Sequence, residues 1–101
     1  MNMEEYTSFH GDVINTDYQH IVDVFGQPTD CELDKSQCEW FVTTDKGTEF
    51  YIYDWKEFTN VKIAENVEWH IGRTAKAGVR EDIAQFLKDK GFDLTNIYMK
   101  P

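Results

Sequence analysis

The segment from Glu39 to Tyr53 constrains the fold of this chain most. Glu39 to Thr44 alternates towards a strand around Trp40, Phe41 and Val42. Asp45-Lys46-Gly47 then supplies turn chemistry, with a glycine available for positive φ, and Glu49 to Tyr53 returns as a second strand. A strand-like run on each side of a short glycine turn predicts an antiparallel hairpin. A sheet must therefore be the base of the fold.

The flanking segments supply the other elements. Thr7 to Val13 reads as a first strand, in which Gly11 marks a bulge or a close backbone approach. Thr16 is the expected N-cap of a short helix carrying Tyr18, Ile21, Val22 and Phe25 at helical spacing, stopped by Gly26 and Pro28. Thr29 to Gln37 is polar and reads as a loop or solvated edge. Trp55 to Asn66 reads as a polar connection, and Val67 to Ile71 as a further strand broken by Gly72. From about Lys76 to Lys90, Val79, Ile83, Phe86 and Leu87 form one apolar stripe, with Thr74 as a candidate cap and Gly91 as terminator. Phe92, Leu94, Ile97 and Tyr98 are expected to pack on the core or add an edge strand.

The order β-α-β-β-β-α predicts an α+β domain over residues 1 to 101, with a mainly antiparallel sheet and two helices covering one face. A chain of 101 residues with 41% hydrophobic and 15% aromatic content builds one core, alone or as a small homo-oligomer. Met1 to Tyr6 carries Glu4 and Glu5 without a basic region or an apolar run, so no secretory signal is expected. No stretch approaches a membrane span. The expected location is the cytoplasm. Cys31 and Cys38 are accordingly read as free thiols.

Charge is distributed unevenly. The first 34 residues hold eight acids (Glu4, Glu5, Asp12, Asp17, Asp23, Asp30, Glu32 and Asp34) and no Lys or Arg, while the remaining eleven acids are nearly balanced by all ten bases. The net charge of −9 repels nucleic acid and attracts basic protein surfaces. Direct nucleic-acid binding is therefore not expected.

Three stretches taken in order resemble a known group. They are Tyr6-Thr-Ser-Phe-His-Gly with a helix ending Val24-Phe25-Gly26-Gln27-Pro28; Glu39-Trp40 with Asp45-Lys-Gly-Thr and Ile52-Tyr53-Asp54-Trp55-Lys56; and Glu68-Trp69-His70-Ile71-Gly72. Together they resemble a family of small, mostly uncharacterised proteins of tailed phages with a "DGT…IYxWK…WHIGG"-like pattern. This chain has Arg73 where the pattern has its second glycine. The resemblance implies a viral origin, hence a host-cytoplasmic setting, and action against host defences or host machinery.

No catalytic signature accompanies these motifs. His10-Gly-Asp12 and His70-Ile-Gly72 lack the hydroxyl of a two-histidine phosphodiesterase, His20 lies apart on the first helix, and no phosphate-binding glycine loop is present. Cys-x6-Cys with scattered histidines is a poor zinc set. Neither an enzyme nor a cofactor or metal is expected.

Two binding surfaces remain as candidates. Trp69, His70, Gly72, Arg73, Thr74, Lys76 and Arg80 place a strand end, a glycine and three bases ahead of a helix. A helix N-terminus favours anions, and Tyr53 or Trp55 would stack on a base ring. This predicts sequestration of a small phosphate-bearing ligand such as a nucleotide immune signal. The plainer alternative is a capped helix with solvated bases. The second surface is acidic: Asp17, Asp23, Asp30, Glu32 and Asp34 would imitate nucleic-acid phosphates towards a basic host defence protein, such as a CRISPR or restriction effector.

Overall fold

The hairpin forms as its local pattern requires. In the computed structural model, which describes residues 9–31, 36–55 and 60–98, β3 (Cys38–Thr43) and β4 (Glu49–Tyr53) pair antiparallel from Glu39↔Tyr53 to Thr43↔Glu49. Gly47 lies at φ +88° and donates its N–H to the Thr44 carbonyl at 2.9 Å, which closes the turn.

Around this hairpin stand β1 (Phe9–Thr16), α1 (Tyr18–Phe25), β2 (Asp30–Cys31), β5 (Val67–Gly72), α2 (Val79–Asp89) and β6 (Thr95–Asn96). The six strands form one sheet in the order β2-β3-β4-β5-β1-β6, and every pairing is antiparallel. The fold is α+β, with the expected β-α-β-β-β-α order and two short added edge strands.

Strand alternation sorts the side chains into two rows. Trp40 lies opposite Ile52, Ile52 opposite Ile71, and Ile14 opposite Trp69. These residues build the core with Ile21 of α1 and Ile83 and Leu87 of α2, so the helices cover this face. Trp40 and Trp69 meet edge to face at 5.3 Å, a favourable aromatic geometry. The other row runs Glu39, Tyr53, His70, Val13 across four strands. Among the described residues, no helix is long and apolar enough to cross a membrane.

Several boundaries differ from expectation. β1 continues to Thr16, so the helix N-cap is Asp17, whose Oδ1 accepts the His20 N–H at 2.8 Å. A carboxylate serves this position as well as a threonine and also faces the positive end of the helix. α2 starts at Val79 rather than Lys76. Thr74 does not cap it; the N-cap is Gly78, without a side-chain cap. The polar segment after Pro28 contains β2, and the connection before β5 delivers Val61 to the core. The chain leaves α2 through Gly91 as expected, the Phe92 N–H reaching the Leu87 carbonyl at 2.9 Å. Gly11 sits within the β1–β5 register shift between Phe9 and Val13, as a bulge requires, and what lies against it is a side chain, the Tyr98 ring. Thr7, where the first strand was expected to begin, lies outside the described residues.

Candidate functional site

Period-two geometry divides the residues expected at the β5–α2 corner. Trp69 points into the helix-covered core, fully buried, and its indole donates to the Thr16 carbonyl at 2.9 Å. His70, one residue on, belongs to the opposite row, where its ring meets Tyr53 at 5.5 Å and Tyr53 meets Trp55 at 6.2 Å. Adjacent strand residues face opposite sides, so Trp69 does not share a ligand surface with His70, Tyr53 and Trp55. Gly72 is buried at the end of β5, opposite Tyr51 and Phe9.

The bases meet an unexpected partner. Asp12, fully buried on β1, accepts Arg73 Nε on Oδ2 at 2.7 Å and Arg80 Nε on Oδ1 at 2.9 Å. Asn96 of β6 donates Nδ2 to the same Oδ1 at 2.8 Å. Burial alone would push the Asp12 carboxyl up. The hydrogen bonds from Arg73, Asn96 and Arg80, with the Arg73 charge, instead hold it below the ordinary carboxylate value. Asp12 also supplies the negative charge that Arg80 needs, since a cation in the first turn opposes the helix dipole. Arg73 further donates Nη1 to the Thr74 carbonyl at 3.1 Å. Lys76 is exposed, and its carbonyl accepts the Val79 N–H.

The start of α2 borders an open groove of about 360 Å³ lined by Lys46, Thr48, Gly78, Val79, Glu81 and Asp82 among others. Its electrostatics are mixed. Asp82 Oδ2 accepts the Thr44 hydroxyl at 2.7 Å, and bonds from Thr44 and Thr48 hold this carboxyl below its usual value. An anion entering the groove would meet Glu81 and Asp82 as well as Lys46.

The second face carries a row of buried ionisable groups. Burial, reinforced by Asp30, raises the Glu39 carboxyl; burial and Glu39 push the Tyr53 phenol up to about 12. Burial lowers His70 against the opposing pull of Glu68, whose Oε1 lies 3.7 Å from Nε2. Asp54 is fully buried; its Oδ1 accepts the Gln37 and Cys38 N–H groups at 2.8 and 2.9 Å, while Oδ2 has no hydrogen-bond partner among the described residues.

Of the acidic candidates, Asp17, Asp23 and Asp30 are exposed. Asp17 caps α1, Asp23 Oδ1 accepts Gln19 Nε2 at 2.7 Å, and Asp30 lies opposite Glu39 on the sheet edge. Glu4, Glu5, Glu32 and Asp34 lie outside the described residues, as does Lys56. Among the described residues, no group of three or more His, Cys, Asp or Glu is placed to hold a metal ion.

Sequence reading missed Asp12, Asn96 and Asp54 as organising residues. The available signal was a charge directly before the apolar pair Val13-Ile14 and an aspartate directly after Ile52-Tyr53; nothing local singles out Asn96. No protein-family model, curated protein or solved structure matches the chain.

Proposed function

We propose that this chain is a non-catalytic phage protein that acts in the host cytoplasm and docks through its acidic surface on a basic, nucleic-acid-binding defence effector of the CRISPR or restriction type. The observation that carries this reading is the capture of Arg73 and Arg80 by Asp12. Two of the bases expected to attract an anion are engaged internally, whereas Asp17, Asp23 and Asp30 face solvent in a chain of net charge −9. The resemblance to small tailed-phage proteins supplies the counter-defence setting. The acidic surface supplies the contact chemistry, because exposed carboxylates can occupy the Lys and Arg positions that otherwise bind phosphates.

The test is competition. Purified effector complexes are loaded with fluorescent duplex DNA and titrated with the protein at several salt concentrations. The expected result is DNA displacement that weakens steeply as salt rises. Replacing Asp17, Asp23 and Asp30 together with Asn should abolish it. Displacement unchanged by that triple replacement would overturn the reading.

Sequestration of a phosphate-bearing ligand is a second reading, favoured by one observation. Both arginines reach Asp12 through Nε, and the Arg80 side chain is 33% exposed, which leaves guanidinium edge for an outside anion. Calorimetry against cyclic and linear nucleotides tests it. Heat lost on Arg80→Ala would support this reading, and no heat from any nucleotide would end it.

A further inference from the structure

Cys31 and Cys38 are directly opposed Cα partners across β2 and β3, with their sulfurs 3.4 Å apart. Both are free thiols. The backbone shows which type of pair this is. The Cys38 N–H points away from β2, to Asp54 Oδ1, whereas the neighbouring Glu39 carbonyl faces the β2 side and accepts the Thr29 N–H at 2.8 Å. Cys31 and Cys38 therefore occupy a non-hydrogen-bonded antiparallel site, where Cα atoms approach to about 4.5 Å. That separation falls inside the range a disulfide spans.

The two thiols differ in access. Cys31 is exposed on the edge strand and Cys38 is fully buried. Burial and the adjacent Cys31 thiol push Cys38 up to about 12, so Cys38 does not react with outside reagents first.

We propose that Cys31 and Cys38 form a redox site, in which Cys31 is the attacking thiol and Cys38 the resolving thiol, and that a low-molecular-weight disulfide such as oxidised glutathione converts the pair to an intramolecular disulfide. The Cys31 thiolate attacks one sulfur of the oxidant, forming a mixed disulfide and expelling one thiolate. Cys38 passes its proton to a departing thiolate and attacks the Cys31 sulfur, forming the Cys31–Cys38 bond and expelling the second thiol. The protein dithiol is oxidised and the small disulfide is reduced to two thiols. The new bond ties β2, with Asp30 beside it, to the central sheet. This site is independent of which partner the acidic surface meets.

The native, reduced full-length chain is incubated with graded ratios of oxidised to reduced glutathione, quenched with acid, and mapped by mass spectrometry. The expected result is joint loss of both thiols, with a monomeric product lighter by two hydrogens and a Cys31–Cys38 cross-linked peptide. Hydrogen exchange at the Thr29 amide should slow in the oxidised form. Cys38→Ser should trap glutathione on Cys31, and Cys31→Ser should leave Cys38 unmodified under native conditions. If Cys38→Ser fails to fold, the wild-type map still decides. A wild-type product that stops at glutathionylated Cys31, a disulfide-linked dimer, or two thiols still reduced in fully oxidised glutathione would each overturn the proposal.

Discussion

Arg73 Nε lies 2.7 Å from Asp12 Oδ2, joining residues 61 positions apart in sequence. The pair links β1 to the segment between β5 and α2, and Arg80 attaches the first turn of α2 to the same carboxylate. Because Asp12 is fully buried and the Arg73 side chain only 11% exposed, removing one partner leaves a buried charge short of donors or acceptors. Asp12→Asn is expected to cost about 3 kcal/mol and Arg73→Ala about 2–3 kcal/mol. Arg80→Ala should cost about 1 kcal/mol, since this more exposed arginine keeps less desolvated contact. Urea unfolding of the three variants checks the order. The Arg73/Arg80 double variant should be non-additive, because both use one acceptor.

Asp12 and Glu39 should give opposite dependences of stability on pH. The folded Asp12 carboxyl lies below its ordinary value of 3.8, so its contribution is complete above that value and disappears as pH falls through the folded one. Glu39 is raised above 4.5 by burial and Asp30. Its protonated form is the one the fold favours, so its contribution is complete below 4.5 and disappears as pH rises through the folded value. Glu39→Gln is therefore expected to raise the urea midpoint at neutral pH and to lose that advantage in acid. Asp12→Asn should be most harmful at neutral pH, with the penalty shrinking below 3.8. Unfolding curves across a pH series give both signs, and a Glu39→Gln penalty independent of pH would refute the first.

Gly11 combines two constraints that a double variant separates. Its φ of +89° disfavours any side chain, and a Cβ there would run into the Tyr98 ring and the Asn96 carboxamide. Gly11→Ala is expected to cost about 1–3 kcal/mol. Tyr98 is largely exposed, so its ring can move aside. Tyr98→Ala in the Gly11→Ala background should recover the part due to the ring and leave the Asn96 clash and the backbone part, as read by thermal unfolding of the four-member cycle.

The hairpin, the stripe of α2 and its exit at Gly91 were legible because each depends on residues within one or two turns of chain. Strand-like runs on both sides of a glycine turn define β3 and β4 without help from elsewhere. β2 was hidden because Asp30 and Cys31 are polar or small, and only pairing with Glu39 and Cys38 makes them a strand. Thr74 fits a cap only for a helix starting near Lys76, whereas the helix begins at Val79 after the left-handed Gly78. The corner itself was misjudged for two different reasons. The separation of Trp69 from His70 follows from strand alternation and was readable from the sequence; the capture of Arg73 and Arg80 was not, since their acceptor lies 61 and 68 residues away.

Two indoles hold α1 in place, and their removal should loosen that helix first. Trp40 Nε1 donates to the Gly26 carbonyl at 3.0 Å, just past the helix end, and Trp69 Nε1 donates to the Thr16 carbonyl at 2.9 Å, just before its start. A helix of eight residues has too few internal hydrogen bonds to persist without tertiary support. Its stability comes from Ile21 in the core, from Tyr18, Val22, Val24 and Phe25 packed against that core, from the Asp17 cap and from these two anchors. Trp40→Phe and Trp69→Phe keep an aromatic ring in the core but remove the donor, so each is expected to cost about 1–3 kcal/mol. The local consequence is more diagnostic than the global one. Native-state hydrogen exchange should accelerate in α1 by a larger factor than in the β3–β4 hairpin, whose ladder does not depend on either indole N–H. Equal acceleration in both elements would show that the indoles contribute bulk to the core and do not specifically anchor the helix.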